Sequence, residues 1–135
     1  MTQTISIPDP GPTPSASAIL DCERLDCFRV AVEFQTLAAD LCSQRRLGAL
    51  RDQLDRAGVS IVLNIAEGAG RRTPADKAHF FTIARGSVQE CVPLLELAAR
   101  RLLTTTDHHA KLKADLEEIA KMLSGLINGL EKRSV

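Results

Sequence analysis

The stretch that decides the fold is residues 47–102, LGALRDQLDRAGVSIVLNIAEGAGRRTPADKAHFFTIARGSVQECVPLLELAARRL. In its first half Leu47, Leu50, Leu54, Ala57, Ile61, Asn64 and Gly68 recur at steps of three and four, which places them on one side of a helix. In the second half Phe81, Ala84, Val88, Cys91, Leu95, Ala98 and Leu102 do the same. Between the halves, Thr73-Pro74-Ala75-Asp76 is a helix start. A threonine hydroxyl can cap, proline suits the first helical position, and Asp76 can complete a capping box and complement the helix dipole. The pattern predicts a helical hairpin. With the turn centred near Arg72, residues at one height have numbers adding to about 144, so Ala57-Gly58 should face Gly86-Ser87 in a close crossing of small residues. Gly68 and Gly70 should relax the end of the first helix and permit the turn. Pro93 lies inside the second helix, where loss of the bond to the Gln89 carbonyl predicts a bend.

The same period extends outward in both directions. Upstream, Leu20, Cys27, Val30, Phe34, Leu37 and Leu41 predict a helix over 20–41. Downstream, Leu112, Leu116, Ile119, Leu123, Leu126 and Leu130 predict another, starting near Thr106-Asp107. No segment alternates as a strand would, and no Asn-Gly or Asp-Gly turn joins β-branched runs. Four seams joined by short connectors specify an all-α, antiparallel up-down-up-down four-helix bundle over residues 19–135. Residues 1–18 carry Pro8, Pro10, Pro12 and Pro14 among Ser, Thr and Gly, a composition that reads as a flexible tail.

The apolar surface exceeds what one bundle needs. A second line, Phe80, Ile83, Leu94 and Leu97, runs along the third helix. Phe28, Val32 and Ala39 form another on the first helix, and Val59, Val62 and Leu63 on the second. A bundle helix normally shows one apolar stripe and a polar back, so these lines point to self-association, with Phe80, Ile83, Leu94 and Leu97 as the oligomer interface.

Composition narrows the function. Aromatics are 3% of the chain, with no Trp or Tyr, which disfavours reading single strands by base stacking. Seventeen basic residues balance seventeen acidic ones, whereas nucleic-acid binders usually carry a basic excess. The charge is uneven: residues 1–44 hold six acids and two bases, and 45–73 hold six bases and three acids. Arg45, Arg46, Arg71 and Arg72 are thus the candidate contacts to a polyanion, with Arg51 and Arg56 nearby. Antiparallel geometry puts the two arginine pairs at opposite ends of one bundle, and an oligomer would repeat them as two basic rims. The alternative is a solvated face balanced by Asp52 and Asp55.

Catalytic patterns are missing. His79, His108 and His109 lack ligand spacing, and Cys22, Cys27, Cys42 and Cys91 form no CxxC, so neither a metal nor another cofactor is expected. Glu67 has no second acid at a fixed spacing; it can pair with Arg71 on its own helix or with Lys77 across the turn. Ser60 and Ser87 have no adjacent histidine, and Gly68-Ala69-Gly70 is not a phosphate loop. Asn64, on the seam, reads either as a buried hydrogen-bonded device that fixes register, the favoured reading, or as a ligand contact. Cys27 and Cys91 belong to core faces. No apolar h-region follows Met1 and no apolar run reaches the ~20 residues of a membrane span, so a cytoplasmic protein with reduced thiols is expected.

The run Val59-Ser-Ile-Val-Leu-Asn-Ile-Ala-Glu-Gly-Ala-Gly-Arg-Arg-Thr73, followed by Phe81-Thr-Ile-Ala-Arg-Gly-Ser87, resembles the four-helix-bundle family of 23S rRNA intervening-sequence proteins, relatives of the accessory proteins of diversity-generating retroelements. The resemblance spans about residues 20–132, with the sharp motifs inside 57–90 and Val62-Leu63 in place of the usual Pro-Ala. It marks Asn64, Glu67, Gly68, Gly86 and Ser87 as motif residues with structural roles. It implies a ring-like homopentamer and, for the retroelement relatives, a basic surface that binds nucleic acid and a reverse transcriptase. Taken together, the expectation is a non-enzymatic homo-oligomeric adaptor without a small-molecule substrate or a membrane, whose partner is a protein, RNA or DNA. The alternative is a nucleic-acid-binding accessory protein acting through arginine rims.

Overall fold

A computed structural model describes residues 20–42, 48–101 and 104–133, the side chains of Leu41 and Cys42 excepted. The tail expected over 1–18 lies outside these residues, as do Leu47 and Leu102. A 3₁₀ turn, Asp21–Arg24, leads into four helices: α1 (Asp26–Cys42), α2 (Gly48–Gly70), α3 (Pro74–Arg100) and α4 (Thr106–Arg133). Among the described residues there is no strand. Each helix packs on its two neighbours in the cyclic order α1, α2, α3, α4, and the α2–α3 contact is the most extensive. The result is an all-α four-helix bundle.

The seams meet in one core. Phe34, Leu54, Ile61, Ile65, Phe81, Val88, Leu95, Leu112, Leu116, Ile119 and Leu123 are buried within it. Burying each such side chain contributes about 1.5–3 kcal/mol against leaving it in water, so the shared core is what holds the helices. Three seam positions shift by one residue: on α1 Ala38 is buried while Leu37 is half-buried. Ile65 is buried where Asn64 was expected, and Ile127 is buried while Leu126 is half-buried.

The first helix starts later than its apolar pattern predicts. Leu25 is extended (φ −97°, ψ 124°) and separates the 3₁₀ turn from α1. Leu20 is 62% exposed and no part of the seam. Asp21, Glu23 and Arg24 offer no apolar face here, and Glu23 folds back so that its Oε1 accepts from the Leu20 amide at 3.3 Å. Pro93 does not interrupt α3, which is helical on both sides of it. Pro93 and Gln89 are both exposed. The carbonyl that loses its partner therefore lies on the side where water can replace it.

The hairpin between α2 and α3 is built as its residues dictate. Thr73 Oγ1 accepts from the Asp76 amide at 3.1 Å, with Pro74 in the first turn. Lys77 Nζ turns back to donate to the Ala69 carbonyl at 2.8 Å and the Gly68 carbonyl at 3.5 Å, which satisfies acceptors left open at the end of α2. Lys77 thus caps a helix instead of pairing with Glu67.

The height relation across this hairpin differs from the expected one. Ser60 pairs with Ser87 and Lys77 with Ala69, so residues at one height have numbers adding to about 147. The helix extends to Gly70, which moves the turn along the chain. One residue rotates a helix face by about 100°, so a small shift re-aims every side chain. The expected crossing of Ala57-Gly58 with Gly86-Ser87 is therefore absent. Gly58 lies against α1, where an added Cβ would meet the Gln35 amide, while Gly86 is exposed with open space around it. The close approach of α2 and α3 occurs at Gly68 instead: a Cβ there would stand 2.7 Å from the Phe81 ring and 3.2 Å from the Lys77 carbonyl oxygen. Gly68 is required for space. Neither it nor Gly70 adopts a positive φ.

Candidate interaction surface

Three features are candidates for function: a polar seam between α2 and α3, an arginine corner at their turn, and an apolar outer face. The seam is a short chain of hydrogen bonds. Asn64 Nδ2 donates to the Ser60 carbonyl at 2.9 Å and to Ser60 Oγ at 3.1 Å, and Ser60 Oγ lies 2.8 Å from Ser87 Oγ. Ser87 is buried, and Asn64 and Ser60 are half-buried. The motif residues Asn64 and Ser87 thus bind α2 to α3 at one height. A register device is the role this geometry serves.

At the turn, Arg71 Nη2 donates to Glu67 Oε1 at 2.5 Å, and its guanidinium carbon stands 4.6 Å from the centroid of the Phe80 ring. His79 packs edge-on against the same ring, centroids 5.1 Å apart. Arg71 is therefore held by a carboxylate and an aromatic face, an arrangement that suits arginine's planar cation. Phe80 is half-buried beneath it. Arg72 is exposed, and Arg45 and Arg46 lie outside the described residues. No rim joining the four arginines is established.

The apolar face spans three helices. Val32 on α1, Val59 and Leu63 on α2, and Ile83 and Leu97 on α3 are exposed, Leu63 by as much as 62%. A groove of about 140 Å³ runs between α1 and α2, lined by Val32, Gln35, Thr36, Val59, Val62 and Leu63. Gln35 forms part of its floor: its Nε2 donates to Asp55 Oδ1 at 2.9 Å, and its Oε1 is buried without a conventional donor, turned toward the Cα of Gly58. Of the four α3 residues expected at an interface, Ile83 and Leu97 are exposed and Phe80 is half-buried. Leu94 belongs to the core, 6% exposed. It lies three residues from Cys91 and joins the same core, so the apparent second line is partly core.

Two polar residues were not singled out by their pattern. Gln35 is an isolated amide in an apolar helix. Asp115 is buried between α4 and its neighbours, with Oδ1 accepting from Lys111 Nζ at 2.8 Å and Oδ2 without a partner. Its spacing from Leu112 and Ile119 placed it on the seam and was the available signal. Lys111 is held more firmly protonated, chiefly by its hydrogen bond to that carboxylate. Burial pushes the Cys27 thiol up to about 11 and the Cys91 thiol up to about 12, so neither supplies a thiolate near neutral pH. Among the described residues no group of His, Cys, Asp and Glu could hold a metal, and no helix is long and apolar enough to cross a membrane.

A family model described as 23S rRNA-intervening sequence protein matches residues 23–125. The chain belongs to that family. The match takes in the polar seam, the arginine corner and the apolar face, and it stops within α4. A crystal structure of a protein of unknown function from the S23 ribosomal protein family of Bacteroides thetaiotaomicron VPI-5482 has the same fold: TM-score 0.69, 25% identity, 76% of this chain and 95% of that one covered. No curated protein matches the chain. The shared family thus covers the bundle while leaving its task open.

Proposed function

We propose that this intervening-sequence family protein is a non-enzymatic, homo-oligomeric adaptor of the cytoplasm, with five copies as the expected number. The observation that carries the reading is the distribution of exposed apolar side chains. Val32, Val59 and Leu63 line a groove between α1 and α2, Ile83, Val92 and Leu97 stand out from α3, Leu20 precedes α1, and none of the exposed large hydrophobics belongs to α4. A cluster of that kind is costly to leave in water and is the usual mark of a protein contact. The inert thiols and the scattered histidines support a binding role over a catalytic one. Sedimentation equilibrium at micromolar concentration tests the reading: a closed oligomer supports it, and a clean monomer removes it.

The nucleic-acid reading has less behind it. Arg71, its leading residue, is engaged by Glu67 and Phe80. Fluorescence anisotropy with RNA and DNA at roughly 50 mM salt decides the point, since phosphate-driven association is strongest at low salt. Binding that falls steeply with salt, and that weakens on Arg71→Ala with Arg72→Ala, would reinstate it.

A further inference from the structure

We infer that α1 is a strap: it swings off a base formed by α2, α3 and α4 while that base stays folded. The opening belongs to the single chain and does not depend on how copies meet. Two separate features point to it, the placement of buried polar groups and the extent of the helix contacts.

Among the described residues, the buried side-chain atoms without a hydrogen-bond partner are Arg29 Nε, Gln35 Oε1 and Asp115 Oδ2. Arg29 and Gln35 are on α1. Asp115 is on α4, at the edge that α1 covers. The other edge of α4 meets α3, where His109 lies 3.9 Å from Glu96 and Ser124 accepts from Arg85 at 3.3 Å. Asp115 stands about 120–180° round the helix from both. Its partner Lys111 keeps its proton chiefly through the Asp115 bond, with Glu33 of α1 among the further carboxylates that favour it. Between α2 and α3, by contrast, Ser60 pairs with Ser87 and Lys77 with the Ala69 carbonyl, both at 2.8 Å. A buried polar atom without a partner costs free energy in the closed bundle and recovers water when the helices part. That cost falls on the contacts of α1 and not on those within the base.

The extent of the contacts agrees. α1 has 17 residues, against 23, 27 and 28 in α2, α3 and α4. Its contacts with α2 and α4 are the two least extensive of the four between helices, so the least apolar area holds it down. A hinge stands at its start. The 3₁₀ turn Asp21–Arg24 packs on α2 more than on α1, and the extended Leu25 separates it from α1. Rotation at such an element-terminal residue lets α1 swing while the turn stays in place. Opening uncovers the core that Cys27, Ala31, Phe34 and Ala38 now close, each at most 2% exposed.

Native-state hydrogen exchange of the full chain tests this. Amides from Ala31 to Ala38 should be at least ~10-fold less protected than the core amides of α2, α3 and α4, because they open without global unfolding. Gly68→Ala, which crowds α2 against α3, separates the strap from an opening of the whole bundle. It should speed exchange in α2 and α3 at least ~5-fold, the kinetic counterpart of overpacking, and leave the α1 rates unchanged. Equal protection of all four helices, or an equal acceleration of α1 by Gly68→Ala, would overturn the strap. Asp115→Leu removes the half-paired carboxylate and leaves only Lys111, 59% exposed, so α1 exchange should slow about tenfold. Circular dichroism checks that this variant folds. Gln35→Met, which removes the unpartnered oxygen from the α1–α2 contact, is the second variant and should slow α1 exchange as well. No slowing in a folded variant would overturn the assignment of the opening to the unpaired groups.

Discussion

The outer side of α4 and the outer sides of α1 to α3 are made to different specifications. Along α4 every large apolar side chain turns inward: Leu112, Leu116, Ile119, Leu123, Ile127 and Leu130 are buried, and Met122 and Leu126 are half-buried against the core. Its outer positions are Lys113, Glu117, Lys121, Gly125 and Asn128, all exposed. The other three helices fill the same core and still leave Val32, Val59, Leu63, Ile83 and Leu97 in contact with water. Core packing alone cannot explain the second set, because α4 meets the same packing demand without it. The difference supports the proposed reading, in which α1 to α3 make a second contact outside the chain and α4 does not.

The sharpest way to break that comparison is to perturb each side. Leu123→Ala, in the shared core, should destabilise the fold by about 2–5 kcal/mol in chemical denaturation, the usual cost of such a cavity. Leu63→Ser should leave the folded monomer nearly unchanged and weaken assembly. A large loss of stability of a monomeric Leu63→Ser protein would show that Leu63 serves the core after all. Next in size is Gly68→Ala. The Phe81 ring and the Lys77 carbonyl leave no room for a methyl there, so a loss of about 1–3 kcal/mol is expected from overpacking.

The buried thiols give an effect of comparable size but confined to alkali. Their folded values, about 11 for Cys27 and about 12 for Cys91, lie above the ordinary 9.0. Their protonated form is favoured in the fold, so their contribution is complete below pH 9. It is lost as pH rises from 9 toward 11–12, where unfolding releases thiol protons. Denaturation midpoints measured across that range should fall, and Cys91→Ala should make the fall shallower. The smallest effect concerns exposed glycines. Gly125→Ala on α4 has open space and should raise stability by about 0.5–1 kcal/mol through helix propensity. Gly86→Ala should do the same to the folded chain while impeding the α3 contact. An equal gain in assembly for both would argue against a contact at α3.

What was legible in the sequence follows from which interactions are local. The seams at Phe34, Leu54, Ile61, Phe81, Val88, Leu116 and Leu123 and the Thr73-Pro74 helix start depend on neighbours within a turn or two, and the structure has them as the spacing predicts. Height across the hairpin depends on where the turn falls, and an error of about three in the height relation moved the close contact from Gly86 to Gly68. The same rotation made Leu94 a core residue while Ile83 and Leu97 stayed outside. Of the two partners offered for Glu67, Arg71 is the one found; Lys77 instead meets a carbonyl at the end of α2, and carbonyls have no sequence signature. Among the site residues, the polar seam of Asn64 and Ser87 was marked by motif, but Ser60, which links them, became evident only with the height known.

The central claim, that the α1–α3 side is covered in the assembled protein and the α4 side is not, is tested most directly by labelling rates. Leu63→Cys and Lys121→Cys each place a thiol on an exposed helix position, one per side. At micromolar concentration, reaction with a maleimide should be slow for Leu63→Cys and fast for Lys121→Cys, and dilution should speed only the first. Equal rates at every concentration would contradict the account.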